Sequence, residues 1–242
     1  MGTLQMWNFD LSKCVRCWTN IGSETDLVPI SDERVACATK KRKVIILDIT
    51  SEEILSTIQI GLTSYLLACN SKFQILTQDE NGSLRLSDQK TMLWEKRWHN
   101  TKSGRFSPEE TFVVSCVQVA FEPRVVVLDA VSGNTLHVLC NPWRRLDPID
   151  CDFVSDKECV VISRDVRFDQ WFVQVFNVKS GDLLSNLALS YLQPRMLQTR
   201  QDVIAALPCK RLFAVYQSDT KHGYELIQVR LPQDEDSRKS RW

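Results

Sequence analysis

An all-β chain, folded as a β-propeller of four-stranded antiparallel blades, is the fold class this sequence predicts, and three observations predict it. First, a short signature recurs: an apolar run, one further residue, then Asp or Asn and a turn. It ends at Asn8, Asp48, Asp88, Asp129 and Asn177, with a weaker copy ending at Leu231. Second, the spacings of 40, 40, 41, 48 and 54 residues suit several short strands per repeat. Third, Val44-Ile45-Ile46-Leu47, Val125-Val126-Val127-Leu128 and Phe172-Val173-Gln174-Val175-Phe176 are nearly continuous apolar runs rich in β-branched residues, as strands covered on both faces are. Helical periodicity is nearly absent.

Taken in order, residues 3–8 read as the third strand of a blade and 13–18 as the fourth, so the chain opens halfway through a repeat. Four complete repeats follow at about 24–60, 62–99, 103–140 and 147–189. The third is clearest: Gly104 to Glu110 ends one strand, 111–119 is a second, 124–128 a third, and 135–140 a fourth after the Ser132-Gly133 turn. Residues 202–208, 212–217 and 224–231 read as the first three strands of a further blade. About five to six blades are thus expected over residues 1–232, as a portion of a larger propeller; a ring of five, closed by 11–18, is the alternative. Residues 233–242, polar and charged, read as a disordered tail. Such sheets sit side by side because a small four-stranded sheet cannot bury either face alone.

Composition narrows the function classes. With 43% apolar and 25% charged residues over 242 positions, the chain can build a substantial core. Thirty basic and thirty acidic residues cancel, which removes the global field that drives non-specific binding to nucleic acid or anionic membrane. No apolar run approaches the roughly 18–20 residues of a membrane helix, and the N-terminus lacks a secretory signal, so a cytoplasmic protein without a membrane partner is expected. Nine cysteines, spread singly through strand-like runs, read as small buried hydrophobes in a reducing compartment. Asn81-Gly82-Ser83 reads as a tight turn.

No catalytic, cofactor or metal constellation emerges from the motifs. Cys14 and Cys17 lack a second pair at zinc-site spacing, and His99, His137 and His222 fall in different repeats. Asp48, Asp88 and Asp129 recur at one repeat position, which points to turn capping, because catalysis needs unlike groups converging on one point. An enzyme with acids in a central channel would draw on the first strands, which offer only Asp152.

What remains is the face formed by the loops between second and third strands and between successive blades. It is expected to gather Lys40, Lys41, Arg42, Trp98, His99, Trp143, Arg144, Arg145, Arg167 and Trp171 as a partner-binding surface. Adjacent Arg and Trp favour interface anchors, since both bury large area while still donating hydrogen bonds. Nucleic-acid binding through Lys40, Lys41, Arg42 and Lys43 with Arg144, Arg145 and Arg167 is the less favoured use of the same face.

Phe106-Ser107-Pro108-Glu109-Glu110 resembles the FSPDG turn of the WD-repeat propellers, and residues 78–88 resemble that family's turn, third strand and terminal WD dipeptide. Trp7 stands where the family has Trp; Leu47, Ser87, Leu128 and Phe176 replace it elsewhere, and the family's Gly-His dipeptide is missing. The degenerate copies are most similar to the C-terminal propellers of NACHT-type and Apaf-like signalling NTPases or of large cytoplasmic scaffolds. That resemblance implies a non-catalytic scaffold or sensor module binding a protein or peptide, joined to upstream domains of a longer chain. A substrate-recognition subunit of another cytoplasmic complex is the alternative it leaves. The chain itself holds no Gly-x-x-x-x-Gly-Lys-Ser/Thr phosphate loop.

Overall fold

The computed structural model describes residues 3–8, 13–19, 27–39, 42–60, 64–120, 122–140, 145–168, 170–189, 203–207, 211–218 and 223–230. Every regular element among them is a β-strand. Two compact units, 1–100 and 101–242, divide the chain.

In the first unit β1 (Thr3–Asn8) and β2 (Lys13–Thr19) form a two-stranded sheet. Two four-stranded antiparallel sheets follow. One comprises β3 (Leu27–Ser31), β4 (Arg34–Thr39), β5 (Lys43–Asp48) and β6 (Ile54–Gln59), the other β7 (Tyr65–Cys69), β8 (Ile75–Gln78), β9 (Leu84–Ser87) and β10 (Met92–Lys96). The second unit repeats the design with β11 (Thr101–Phe106), β12 (Phe112–Val119), β13 (Glu122–Asp129) and β14 (Thr135–Leu139). Its next sheet is β15 (Asp147–Phe153), β16 (Glu158–Asp165), β17 (Gln170–Asn177) and β18 (Leu183–Leu189). A three-stranded sheet, β19 (Val203–Leu207), β20 (Arg211–Ser218) and β21 (Gly223–Arg230), completes the described strands. Each four-stranded sheet is a meander in sequence order, which is the blade the repeat predicts. The expected tail at 233–242 lies outside the described residues.

Within each unit the blades pack as propeller blades do, with first strands side by side: β3 against β7, β11 against β15, and β15 against β19. Burial follows from this. The middle strands β12, β16 and β17 are buried almost throughout, whereas the fourth strands β6 and β14 expose much of their length. A middle strand is covered on both faces and an outer one faces water, so only the latter tolerates polar residues freely. One core joins Ala36, Val44, Ile46 and Ile58 to Leu66 and Ile75 in the first unit. The other joins Val114, Cys116, Val127 and Leu139 to Cys151, Cys159, Val161 and Phe176 in the second. Burial pushes the Cys37 thiol up to about 11 and raises the Cys151 and Cys159 thiols well above their ordinary range, so these sulfurs stay protonated and act as packing groups.

The recurring acid or amide at the end of each third strand caps the turn that follows. Asp48 Oδ1 accepts from the amides of Thr50 and Ser51, both at 2.9 Å, and Asp88 Oδ1 accepts from Lys90 and Thr91, both at 2.7 Å. Asp129 Oδ1 accepts from the Ser132 amide and hydroxyl, both at 2.7 Å, and Asn177 Oδ1 from Lys179 at 2.9 Å and Ser180 at 3.0 Å. Backbone donors hold the three carboxyls below the usual aspartate range, with the Ser51, Lys90 and Ser132 amides the largest causes.

Four residues on from three of these caps the chain turns left-handed, at Glu52 (φ 66°), Gly133 (φ 68°) and Gly181 (φ 76°). Glycine suits the position, and glutamate there carries strain. A non-glycine residue in this region costs roughly 1–2 kcal/mol and glycine's extra chain entropy about 0.5–1 kcal/mol, so the strain term wins. Glu52→Gly is therefore expected to raise stability by about 0.5–1 kcal/mol in urea denaturation. A fall would show that the Glu52 side chain contributes more than the strain removes.

Candidate partner-binding crevice

The residues expected on the loop face distribute unevenly. Lys40, Lys41, Trp143 and Arg144 lie outside the described residues. In the first unit Arg42 is exposed in the β4–β5 turn with φ 61°, Trp98 is half-buried and His99 is exposed after β10. In the second, Arg145 and Arg167 are exposed, Arg167 in the β16–β17 turn with its amide donating to Asp165 Oδ1 at 3.0 Å. Trp171 does not reach the loop surface: it is 1% exposed in β17, with the Arg164 guanidinium 5.8 Å from its ring. The reason is that both faces of β17 are covered, so its indole is core. Asp152 accepts from the Phe153 amide at 2.8 Å.

Beside Arg167 the hairpin exposes two apolar side chains, Val166 at 67% and Phe168 at 75%. Large apolar groups placed so openly on a hairpin tip contribute nothing to the core, and surfaces that bind partners use them.

Among the described residues, a crevice runs between neighbouring blades in each unit. The first, of about 250 Å³, is lined by Gln59, Thr77, Arg85, Ser87, Met92 and Glu95. The second, of about 430 Å³, opens between β13–β14 and the face of β16–β17. By antiparallel pairing Val161 stands opposite Gln174, and Ser163 opposite Phe172. Residues two apart on a strand share a face, so Val161, Ser163, Gln174 and Phe176 all face the β11–β14 sheet. Val125, Leu139 and Leu146 add apolar wall, and Glu122, Arg124 and Arg145 form the rim.

Arg85 and Gln174 occupy the same repeat position, three residues before the capping Asp88 and Asn177; Ile45 and Val126 hold it in the other complete repeats. The two polar side chains are treated differently. Arg85 is satisfied within its own blade, Nε to Glu95 Oε1 at 2.7 Å and Nη2 to Asp79 Oδ2 at 3.0 Å, and the Glu95 carboxyl is held below its usual range chiefly by that Arg85 hydrogen bond. Gln174 is 2% exposed and accepts at Oε1 from the Ser163 hydroxyl at 3.0 Å, while its Nε2 meets no acceptor. Turning the amide over would direct Nε2 to Ser163 and orphan the oxygen instead, so one polar atom stays unmatched either way.

At the rim Arg124 pairs with Glu122, and Arg145 Nη2 reaches Glu122 Oε1 at 3.4 Å with side chains 72% and 42% exposed. Two guanidiniums against one carboxylate leave the rim net positive, and an exposed pair at that length holds Arg145 weakly. Nearby Asp147 is taken by Lys102 at 3.2 Å. The loop-face reading had Arg145 but neither Gln174, Ser163, Glu122, Arg124 nor Phe168. A sequence signal for Gln174 did exist, a polar residue at a repeat position that Ile45 and Val126 hold in two of the complete repeats, although Arg85 shows that polarity there does not by itself mark a crevice.

No protein-family model matches the chain, and no curated protein matches it. Among solved structures it is similar to a chain of hydrazine synthase from Kuenenia stuttgartiensis, with a TM-score of 0.61 at 13% identity over 88% of this chain and 68% of that one. At this identity the likeness speaks to the fold alone. No helix among the described residues is long and apolar enough to cross a membrane.

Proposed function

We propose that this chain is a non-catalytic protein-interaction module of the WD-repeat kind, binding a protein or peptide partner through the hairpin ends of its second unit. Sensing or scaffolding within a cytoplasmic assembly, as in the NACHT-type and Apaf-like propellers its repeats resemble, is the role we assign to it. The observation that carries the reading is the hairpin tip Val166-Arg167-Phe168, open to water at the end of a blade whose framework is buried. Rigid strands beneath an apolar and cationic tip provide a preorganised anchor, so binding loses little chain entropy. The signature carboxylates support the absence of catalysis, since each is engaged with backbone donors of its own turn.

A benzoylphenylalanine at position 168 tests this in cells. The partner it crosslinks is identified, purified and titrated against the wild-type chain and the Arg167→Glu/Phe168→Ser double variant. Loss of an anchor aromatic and reversal of its charge should weaken binding at least about tenfold. Equal affinities, or crosslinking as efficient from the exposed outer-strand Leu184, would reject the reading.

A further inference from the structure

We infer that the crevice between the two four-stranded blades of the second unit is a binding site for an extended peptide segment in which an apolar residue is followed by an acidic one. The inference rests on the interaction-module reading and names the chemistry of its ligand.

Polarity is divided between the interior of the crevice and its rim. Inside stand a buried neutral amide with an unmatched polar atom, Gln174, held by Ser163, and the apolar Val125, Leu139, Val161 and Phe176, while the rim is Arg124 and Arg145 against Glu122. A ligand that fits must place a neutral hydrogen-bonding group and apolar surface inside and negative charge at the mouth. The reverse order would desolvate a carboxylate with only one neutral donor to receive it, at far greater cost. An extended peptide has this order built in: a backbone carbonyl for the Gln174 amide, a side chain for the walls, and the next residue's carboxylate for Arg145. Rotation about the terminal torsion of Gln174, which is broad and soft, turns its N–H toward the ligand. Arg145 has donors to offer because its long, exposed contact to Glu122 engages one nitrogen. The volume of about 430 Å³ falls in the range of sites that hold small ligands or a few residues of a peptide.

The crevice of the first unit is the internal contrast. Its polar residue at the same repeat position, Arg85, is matched by Glu95 and Asp79, and its volume is about 250 Å³. An interior that has already paired its charge gains nothing from a ligand. The same repeat position therefore serves stability in one unit and leaves a recognition group in the other.

The test is fluorescence anisotropy on the full 242-residue chain with amidated, fluorescein-labelled hexapeptides containing Phe-Glu or Phe-Lys between Gly-Ser flanks, and with octanoate as competitor. The Phe-Glu peptide should bind, and the Phe-Lys peptide at least about tenfold more weakly. Ser163→Ala/Gln174→Leu removes the interior polar groups at similar volume. It should weaken Phe-Glu binding about tenfold while raising the thermal midpoint by about 2–4 °C, because an unmatched buried amide is gone. A merely structural Gln174 would leave binding in place. Arg145→Glu, on an exposed side chain that folding does not need, should also lose about tenfold and abolish the Glu over Lys preference. Failure of Phe-Glu to bind, unchanged affinity in either variant, or displacement by octanoate at equal strength would overturn the peptide assignment. If the partner crosslinked from position 168 still binds in a hairpin-dependent way, the crevice alone is lost and the interaction-module reading stands.

Discussion

Gly82→Ala is expected to destabilise the first unit by about 3–5 kcal/mol, close to the whole stability of a modest domain. Gly82 sits in the β8–β9 turn with φ 86°, where its amide donates to the Asp79 carbonyl at 3.0 Å. Asp79 Oδ1 accepts from Asn81 at 3.0 Å and Ser83 at 2.8 Å, so the turn is tied to a fixed geometry. A Cβ added here would lie 2.6 Å from the Asn100 amide nitrogen and 2.6 Å from both the carbon and oxygen of the His99 carbonyl. All three are backbone atoms of the segment leaving β10, and on the turn side a shift would break the hydrogen bonds that tie residues 79–83 together. Left-handed strain adds roughly 1–2 kcal/mol to that collision. Gly181 supplies the control: its φ is 76°, but the nearest atom to an added Cβ is the His137 side chain at 3.3 Å, which can rotate aside. Gly181→Ala should therefore cost only the strain, about 1–2 kcal/mol. Urea denaturation of both variants decides the matter, and equal losses would show that the His99–Asn100 backbone is not pressed against the turn.

The turns were legible in the sequence because their chemistry is local. A short side-chain acceptor at the end of a third strand can reach amides two and three residues on, so Asp48, Asp88, Asp129 and Asn177 mark the repeat without any tertiary knowledge. Strand type was legible in the same way, from β-branched runs. The orientation of side chains was not. Where a strand is covered on both faces the period-two contrast disappears, and nothing in Gln170–Asn177 says that Trp171 is core while Gln174 opens on a crevice. The crevice itself was illegible for a further reason. Its rim and interior polar groups come from residues 122, 124, 145, 163 and 174, brought together only when consecutive blades pack. The exposed Phe168 is hidden likewise, because a single aromatic in a turn has no periodic signature.

Position decides energy as well as orientation, and Phe176→Ala shows by how much. The residue just before the capping Asp or Asn is Leu47, Ser87, Leu128 or Phe176 in the four complete repeats. Phe176 is 1% exposed and packs with Val114, Val127, Cys159 and Val178 across two blades. Truncation would remove the whole phenyl ring from a core that strands hold too rigidly to collapse, and such changes cost about 3–5 kcal/mol. Ser87, at the same repeat position, is half-buried on the wall of the smaller crevice. Ser87→Ala removes one hydroxyl from a partly wet site and should stay within about 0.5 kcal/mol of wild type. The two variants thus compare one position of one repeat under two packings, and thermal or urea unfolding should separate them by several kcal/mol. Similar losses at Phe176 and Ser87 would mean that the signature residue acts through its local turn. The expected inequality would mean that it acts through the neighbouring blade, which is the physical basis of a fold built from sheets that cannot stand alone.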